Sequence, residues 1–305
     1  MLPLPTHESC LKNAMKTVSS TFLSNPAIVR IVENALLEDL GTGDVTTDNL
    51  PALSKIQAKA ELRVRESCVL SGLSVSELCF SVVDAQLEFR PLFHDGSSVK
   101  ANEVVATVQG GMASILKAER VALNFMQHLS GIATETNHYV EALSGTKSRI
   151  TNTRKTTPGL RLLEREAVLH GGGSPHRYNL GSCVMLKDNH WKALSPDASS
   201  EDALRQAMRI LRERLSHTSK IEIEVDTLEQ ISLALELGAD IILLDNMSPD
   251  QIRQAIKQVE GKAILEASGG INLQTVRSYA ETGVPYISTS KITLGVPAID
   301  IGLDL

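Results

Sequence analysis

The spacing of apolar residues changes twice along the chain, and each change marks a different kind of element. Ile28, Ile31, Val32, Ala35 and Leu36 recur with a helical period, behind Asn25-Pro26 and ahead of Gly41. That pattern predicts an amphipathic helix with a capping residue, a first-turn proline and a glycine stop. Gly41 to Thr47 reads as a turn-rich loop. From Lys55 to Gly111 the pattern shortens to strand-like runs at Lys59–Arg65, Val69–Leu70, Gln86–Pro91 and Val104–Gln109, punctuated by Ser71-Gly72, Asp95-Gly96 and Gly110-Gly111. A small, mostly antiparallel domain with a helix or two is expected. Asp95 to Val108 has the look of a carrier-type hammerhead. No lysine sits at a hairpin tip between matched strands, so it is read as structural. Ala113 to Leu143 predicts a long helix broken near Gly131.

Beyond this point the pattern repeats. Apolar runs occur at Arg149–Thr153, Val184–Lys187, Ile221–Val225, Ile241–Leu244, Ala263–Glu266 and Tyr286–Ser288; amphipathic runs at Thr227–Leu237, Pro249–Val259 and Leu273–Thr282 alternate with the last four. The polar ends Glu224, Asp245, Ser268 and Ser290 fall 21, 23 and 22 residues apart, the length of a strand, a helix and two short loops. The predicted fold class is α/β. A small N-terminal α/β domain (25–132) precedes a C-terminal partial (β/α) barrel (133–305) of about six parallel strands. Residues 1–24 read as an N-terminal extension, loosely ordered or holding a short helix.

Composition narrows the function classes. Ten aromatics in 305 residues argue against base-stacking platforms and aromatic membrane girdles. No apolar run reaches the roughly 18 residues of a membrane span, and the first 24 residues resemble neither a signal nor a transit peptide. Cys10, Cys68, Cys79 and Cys183 lack metal or redox spacing, so reduced thiols and a cytoplasmic location are expected. His170 and His176 suit no common metal motif. The formal net charge of −6 argues against nucleic acid, but it is unevenly spread. Between Arg149 and Lys192 there are eight cations and three anions, a local +5 that leaves −11 elsewhere. A cationic pocket in an acidic protein suits a small polyanion.

In a parallel barrel the reactive groups gather at the carboxyl ends of the strands. Here these ends are Thr153-Arg154-Lys155, Lys187-Asp188-Asn189, Glu224, Asp245-Asn246, Ser268-Gly269-Gly270 and Thr289-Ser290-Lys291. Arginine receives carboxylates and phosphates through a planar fork. The glycine loop at 268–270, ahead of a helix expected near Asn272, suits phosphate. Glu224 and Asp245 suit sugar hydroxyls or a water-bridged Mg²⁺. A glycosidase carboxylate pair competes with that reading, and Lys155 or Lys187 leaves Schiff-base chemistry open. Arg161 and Arg165, near Glu164, are read as a solvated helix face.

These residues carry a resemblance. Thr153–Arg161, His170-Gly171-Gly172-Gly173 with His176-Arg177, Met185–His190, Glu222–Val225, Leu243–Asn246 and Glu266–Ile271 resemble the quinolinate phosphoribosyltransferase family (nicotinate-nucleotide pyrophosphorylases). Gly43–Thr47 and Ala118-Glu119-Arg120 with Leu123-Asn124 match as well, and the likeness runs from about Asn25 to Leu305.

The resemblance implies transfer of phosphoribosyl from 5-phosphoribosyl 1-pyrophosphate to quinolinate with Mg²⁺. The products are nicotinate mononucleotide, pyrophosphate and CO₂, in NAD biosynthesis. It implies that Arg154, His176, Arg177 and Lys187 hold the quinolinate carboxylates, with Lys155 on the pyrophosphate side. Glu224 and Asp245 would meet the ribose hydroxyls or their metal, with Lys155 and Lys187 as catalytic cations. Thr153 lies beside them, and Ser268-Gly269-Gly270 with Thr289-Ser290-Lys291 would take the 5-phosphate. Arg120 would enter a neighbouring subunit's site, making a homodimer the minimal unit, with a hexamer as the larger alternative. The chain departs from the family pattern at Pro175, Ser182 and Ser290. The alternatives are a relative acting on another aromatic acid, and a non-catalytic barrel that binds phosphorylated ligands.

Overall fold

Asn25 starts the first helix among the described residues, α1 (Pro26–Leu40), by accepting the Ala27 N–H, and Ile28, Val32 and Leu36 form its buried face. The computed structural model describes residues 25–194 and 201–305; the reading of residues 1–24 lies outside them. The loop expected at 41–47 holds a one-turn helix, α2 (Val45–Asp48), because Asp44 Oδ1 accepts the N–H groups of both Thr46 and Thr47.

The antiparallel region comprises β1 (Gln57–Val64), β2 (Cys68–Val69), β3 (Glu88–Pro91), β4 (Ser98–Val99) and β5 (Val104–Gly111), with α3 (Leu73–Val83). A C-terminal strand, β12 (Ile301–Asp304), pairs with the outer edge of β1 and completes a sheet of order β12-β1-β5-β3. Arg63 and Arg65 both reach the Asp304 carboxylate, at 3.1 and 2.5 Å, and fix that register.

The long helix α4 (Met112–Ala142) runs unbroken through Gly131, against expectation. A Cβ at Gly131 would collide with the carbonyl oxygen of Pro297, so this glycine serves a close backbone approach and not a helix end. Gly131→Ala would gain about 1 kcal/mol of helix propensity and lose about 1–3 kcal/mol to overpacking against an unyielding backbone. A lowered melting temperature is expected; an unchanged one would show that the segment at Pro297 gives way.

The chain forms two compact units. One comprises the described residues up to Thr134 with Thr157–Gly171 and Val296–Leu305; the other comprises Glu135–Thr156 and Gly172–Gly295. Helix α5 (Arg161–His170) belongs to the first. The solvated face read there is corrected: Glu164 is fully buried, accepting from His128 Nε2 at 2.9 Å and from the Thr157 N–H, and Arg161 and Arg165 are half-buried.

Among its described residues the second unit holds six parallel strands: β6 (Arg149–Thr151), β7 (Val184–Leu186), β8 (Ile221–Val225), β9 (Ile241–Asp245), β10 (Ile264–Ser268) and β11 (Tyr286–Ser288). Their order is β6-β11-β10-β9-β8-β7. Strands β7 to β11 are neighbours in sequence order, while β6 joins the far side of β11. The result is the expected partial barrel, with β6 and β7 at its two edges. Helices α6 (Asp188–Leu194), α7 (Glu201–Arg214), α8 (Gln230–Glu236), α9 (Pro249–Val259) and α10 (Val276–Ala280) connect the strands. Ile221, Ile223, Ile242, Leu244 and Ala267 are buried on alternate strand positions, which leaves the other parity for polar groups.

Candidate active site at the carboxyl ends of the strands

Alternation along β8 puts Glu222 and Glu224 on one face, and the β9–β10 register sets Asp245 beside Ser268. Lys187 directly follows β7, with its Nζ 2.5 Å from Glu224 Oε2. Burial holds the Asp245 carboxyl above its usual range, with Asp226 adding to it, while Lys187 and Lys155 pull the other way. Lys155, Lys187, Glu224 and Asp245 therefore share one electrostatic environment.

The glycine loop is built for close backbone approach. Gly269 and Gly270 have φ of +94° and +64°, and a Cβ on Gly269 would collide with the Asn246 side chain. The helix expected near Asn272 begins only at Val276, because Asn272 Oδ1 accepts the Gln274 and Thr275 N–H groups and closes a separate turn. Thr289 Oγ1 donates to Ile271 O at 2.9 Å and accepts the Lys291 N–H at 3.2 Å, joining the Thr289–Lys291 turn to the glycine loop. Ser290 is not among the residues with positive φ, so serine there costs no backbone strain. Thr293 Oγ1 donates to Lys155 O at 2.9 Å, and Thr153 Oγ1 accepts the Lys155 N–H at 3.1 Å. Three loops are thus tied together by threonines. Half-buried Arg154 sits in the first of them.

His176 and Arg177 lie on the segment that re-enters this unit after Gly172. Ser174 bridges to Thr151, and the His176 N–H donates to Asn152 Oδ1 at 2.9 Å; Pro175 stands between these two anchors. Ser182 accepts the Asn179 N–H at 3.1 Å and closes the following turn. The Arg177 guanidinium donates to Cys183 O and Met185 Sδ. His176 Nε2 lies 3.6 Å from Glu222 Oε1 and 3.3 Å from Glu266 Oε1. The sequence alone gives Glu222 and Glu266 no role. The available signal was parity: each stands two residues before a site residue, Glu224 or Ser268, in an otherwise apolar strand.

Burial holds the Glu222 carboxyl above its usual range.

Arg120 lies on α4 in the other unit, with its side chain 61% exposed and 3.8 Å from Glu119. Cys68 and Cys79 are buried free thiols pushed up to about 11 and about 12, which leaves them poor nucleophiles. Among the described residues, no helix is long and apolar enough to cross a membrane.

Comparison with known proteins bears on the same residues. The family described as quinolinate phosphoribosyl transferase matches by its N-terminal domain at residues 44–130 and by its C-terminal domain at 132–304. A nicotinate-nucleotide pyrophosphorylase (carboxylating) of Mycobacterium leprae is 40% identical over 281 residues, covering 90% of this chain and 95% of that one. A probable enzyme of the same name from Bacillus subtilis is 37% identical over 276 residues, covering 90% and 92%. The crystal structure of nicotinate-nucleotide pyrophosphorylase from Ehrlichia chaffeensis superposes with a TM-score of 0.82 at 39% identity, covering 90% of this chain and 97% of that one. With both domain models matched and these relatives aligned over nine-tenths of its length, the chain belongs to the quinolinate phosphoribosyl transferase family.

Proposed function

We propose that the protein transfers the phosphoribosyl group of 5-phosphoribosyl 1-pyrophosphate to quinolinate, releasing pyrophosphate and CO₂ and forming nicotinate mononucleotide for NAD biosynthesis. The observation that carries this reading is the Lys187–Glu224 pair beside Asp245, next to the Ser268-Gly269-Gly270 loop, in a chain of this family. Such a mouth offers cations, carboxylates and backbone donors to one small polyanion.

The ribose would lie over Glu224 and Asp245. As pyrophosphate departs, positive charge develops at the anomeric carbon, and fixed carboxylates stabilise it without reorganising. Ser268, Gly269, Gly270 and the Thr289-Ser290-Lys291 turn would hold the 5-phosphate, while Lys155 faces the departing pyrophosphate. Arg154, Arg177 and Lys187 would hold the carboxylates of quinolinate and orient its ring nitrogen towards the anomeric carbon. Glu224 and Asp245 offer only oxygen donors and are near enough to the mouth to hold Mg²⁺ through water, which is the donor set this ion prefers. Bound there, Mg²⁺ would neutralise charge on the pyrophosphate. After N-ribosylation, the cationic pyridinium nitrogen stabilises the carbanion left as the 2-carboxylate departs as CO₂.

Incubation with Mg²⁺, 5-phosphoribosyl 1-pyrophosphate and quinolinate should yield pyrophosphate and CO₂ in equal amounts. Absence of both would overturn the reading. Turnover of nicotinate in place of quinolinate would mark a relative with another aromatic substrate.

The assembly is proposed as a homodimer in which exposed Arg120 completes the partner's site. Mixing Arg120→Ala with Lys187→Ala protein should then restore activity, up to about a quarter of wild type at random pairing. No restoration under verified subunit exchange would count against a shared site. The free thiols Cys68 and Cys79 fit a reducing compartment, the cytoplasm.

A further inference from the structure

Glu222 and Glu266 are not consumed by the reaction proposed above, yet they are expensive to keep. Their side chains are 2% and 8% exposed, and the Oε1 of each lies 3.6 or 3.3 Å from His176 Nε2 and has no hydrogen-bond partner. Strands β8 and β10 alternate around the barrel, and side chains from alternate strands share a layer. The pair therefore forms a floor one layer below Glu224 and Ser268. Buried carboxylates persist only against a metal, a cation or a proton donor.

His176, Glu222 and Glu266 offer three potential metal ligands within 4.8 Å of one another. The other ring nitrogen decides between a metal and a proton. His176 Nδ1 accepts the Arg177 N–H at 2.8 Å, so it carries no proton. The ring proton is then on Nε2, the nitrogen that lies 3.3 and 3.6 Å from the two carboxylate oxygens. Metal ligation through Nε2 would require the opposite tautomer, with Nδ1–H facing another N–H. Nδ1 is taken by the Arg177 N–H and Nε2 is enclosed by the two buried carboxylates, so His176 works as a strut and not as a ligand contact. What it holds is Arg177: Ser174 is bridged to Thr151, the His176 N–H is on Asn152, and the guanidinium rests on Cys183 O and Met185 Sδ.

We propose that Glu222 and Glu266 are positioning residues that hold the His176 ring at its Nε2 edge and thereby aim Arg177 at a carboxylate of the aromatic acid. The clamp stands on geometry alone; the target of Arg177 rests on the function proposed above.

Two measurements test it. In protein labelled with ¹⁵N-histidine, the His176 ring should show a protonated Nε2 and a bare Nδ1 at neutral pH, unchanged by one equivalent of Zn²⁺. A protonated Nδ1, or a zinc-dependent shift, would overturn the clamp whether or not the enzyme turns over quinolinate. The second uses kinetics. Glu266→Leu should raise KM for quinolinate tenfold or more, while KM for 5-phosphoribosyl 1-pyrophosphate stays within twofold. Glu266→Gln retains an oxygen acceptor for Nε2–H and should recover most of that loss. Equal defects in the two variants, or parallel rises in both KM values, would reject a positioning role. If Glu266→Leu does not fold, Glu222→Leu compared with Glu222→Gln, by the same two KM values, takes its place. Wild-type protein that ignores quinolinate but keeps the histidine signature would reject the proposed substrate and leave the clamp standing.

Discussion

Arg154→Ala is expected to weaken quinolinate binding by about 2–5 kcal/mol, roughly 30- to 4,000-fold in Kd. The size of the effect comes from what is left behind. Arg154 is half-buried in a loop pinned by Thr153 and Thr293, so a guanidinium held there would meet a ligand with little freedom to lose. If it pairs a quinolinate carboxylate as proposed, its removal would leave that carboxylate desolvated and unpaired, which costs more than the pair contributed. Arg154→Lys should recover little, because an ammonium cannot give two parallel hydrogen bonds. Isothermal titration with quinolinate alone checks both variants. An unchanged affinity would remove Arg154 from the carboxylate site.

Glu224→Gln should lower kcat by about 10²- to 10³-fold, the scale of losing one fixed group aimed at transition-state charge. Glutamine keeps the shape, so β8 should fold normally. What disappears is negative charge beside the developing ribosyl cation and the partner of Lys187, whose Nζ is 2.5 Å away. Because that charge matters more in the transition state than in the bound substrates, KM should move less than kcat. Saturation kinetics with both substrates tests this. A kcat within threefold of wild type would mean that Glu224 only holds Lys187 in place.

How much of this was legible in the sequence depends on what kind of signal each feature leaves. The parallel strands were readable because burial on both faces produces apolar runs, and their polar ends recur every 21 to 23 residues. The candidate mouth followed from the same ends. Gly131 misled because a glycine in a helix means either a break or a close approach, and only the distant carbonyl of Pro297 distinguishes them. Glu164 misled because its neighbours Arg161 and Arg165 suggested solvent, while the residue that buries it, His128, is 36 positions away. The start of α10 was misplaced by the side chain of Asn272, which captures two N–H groups in its own turn. Glu222 and Glu266 had a local signal in their parity, but their meaning needed the tautomer of a histidine on a different segment.

The strand at 301–304 has a consequence for how the chain comes off the ribosome. Its Asp304 closes onto Arg63, 241 residues earlier. During synthesis the edge of β1 must wait, unpaired, while almost the whole barrel is made. An open strand edge is a template for other chains. A nascent chain stalled before residue 301 should therefore be a chaperone client, and emergence of residues 301–304 should end that dependence.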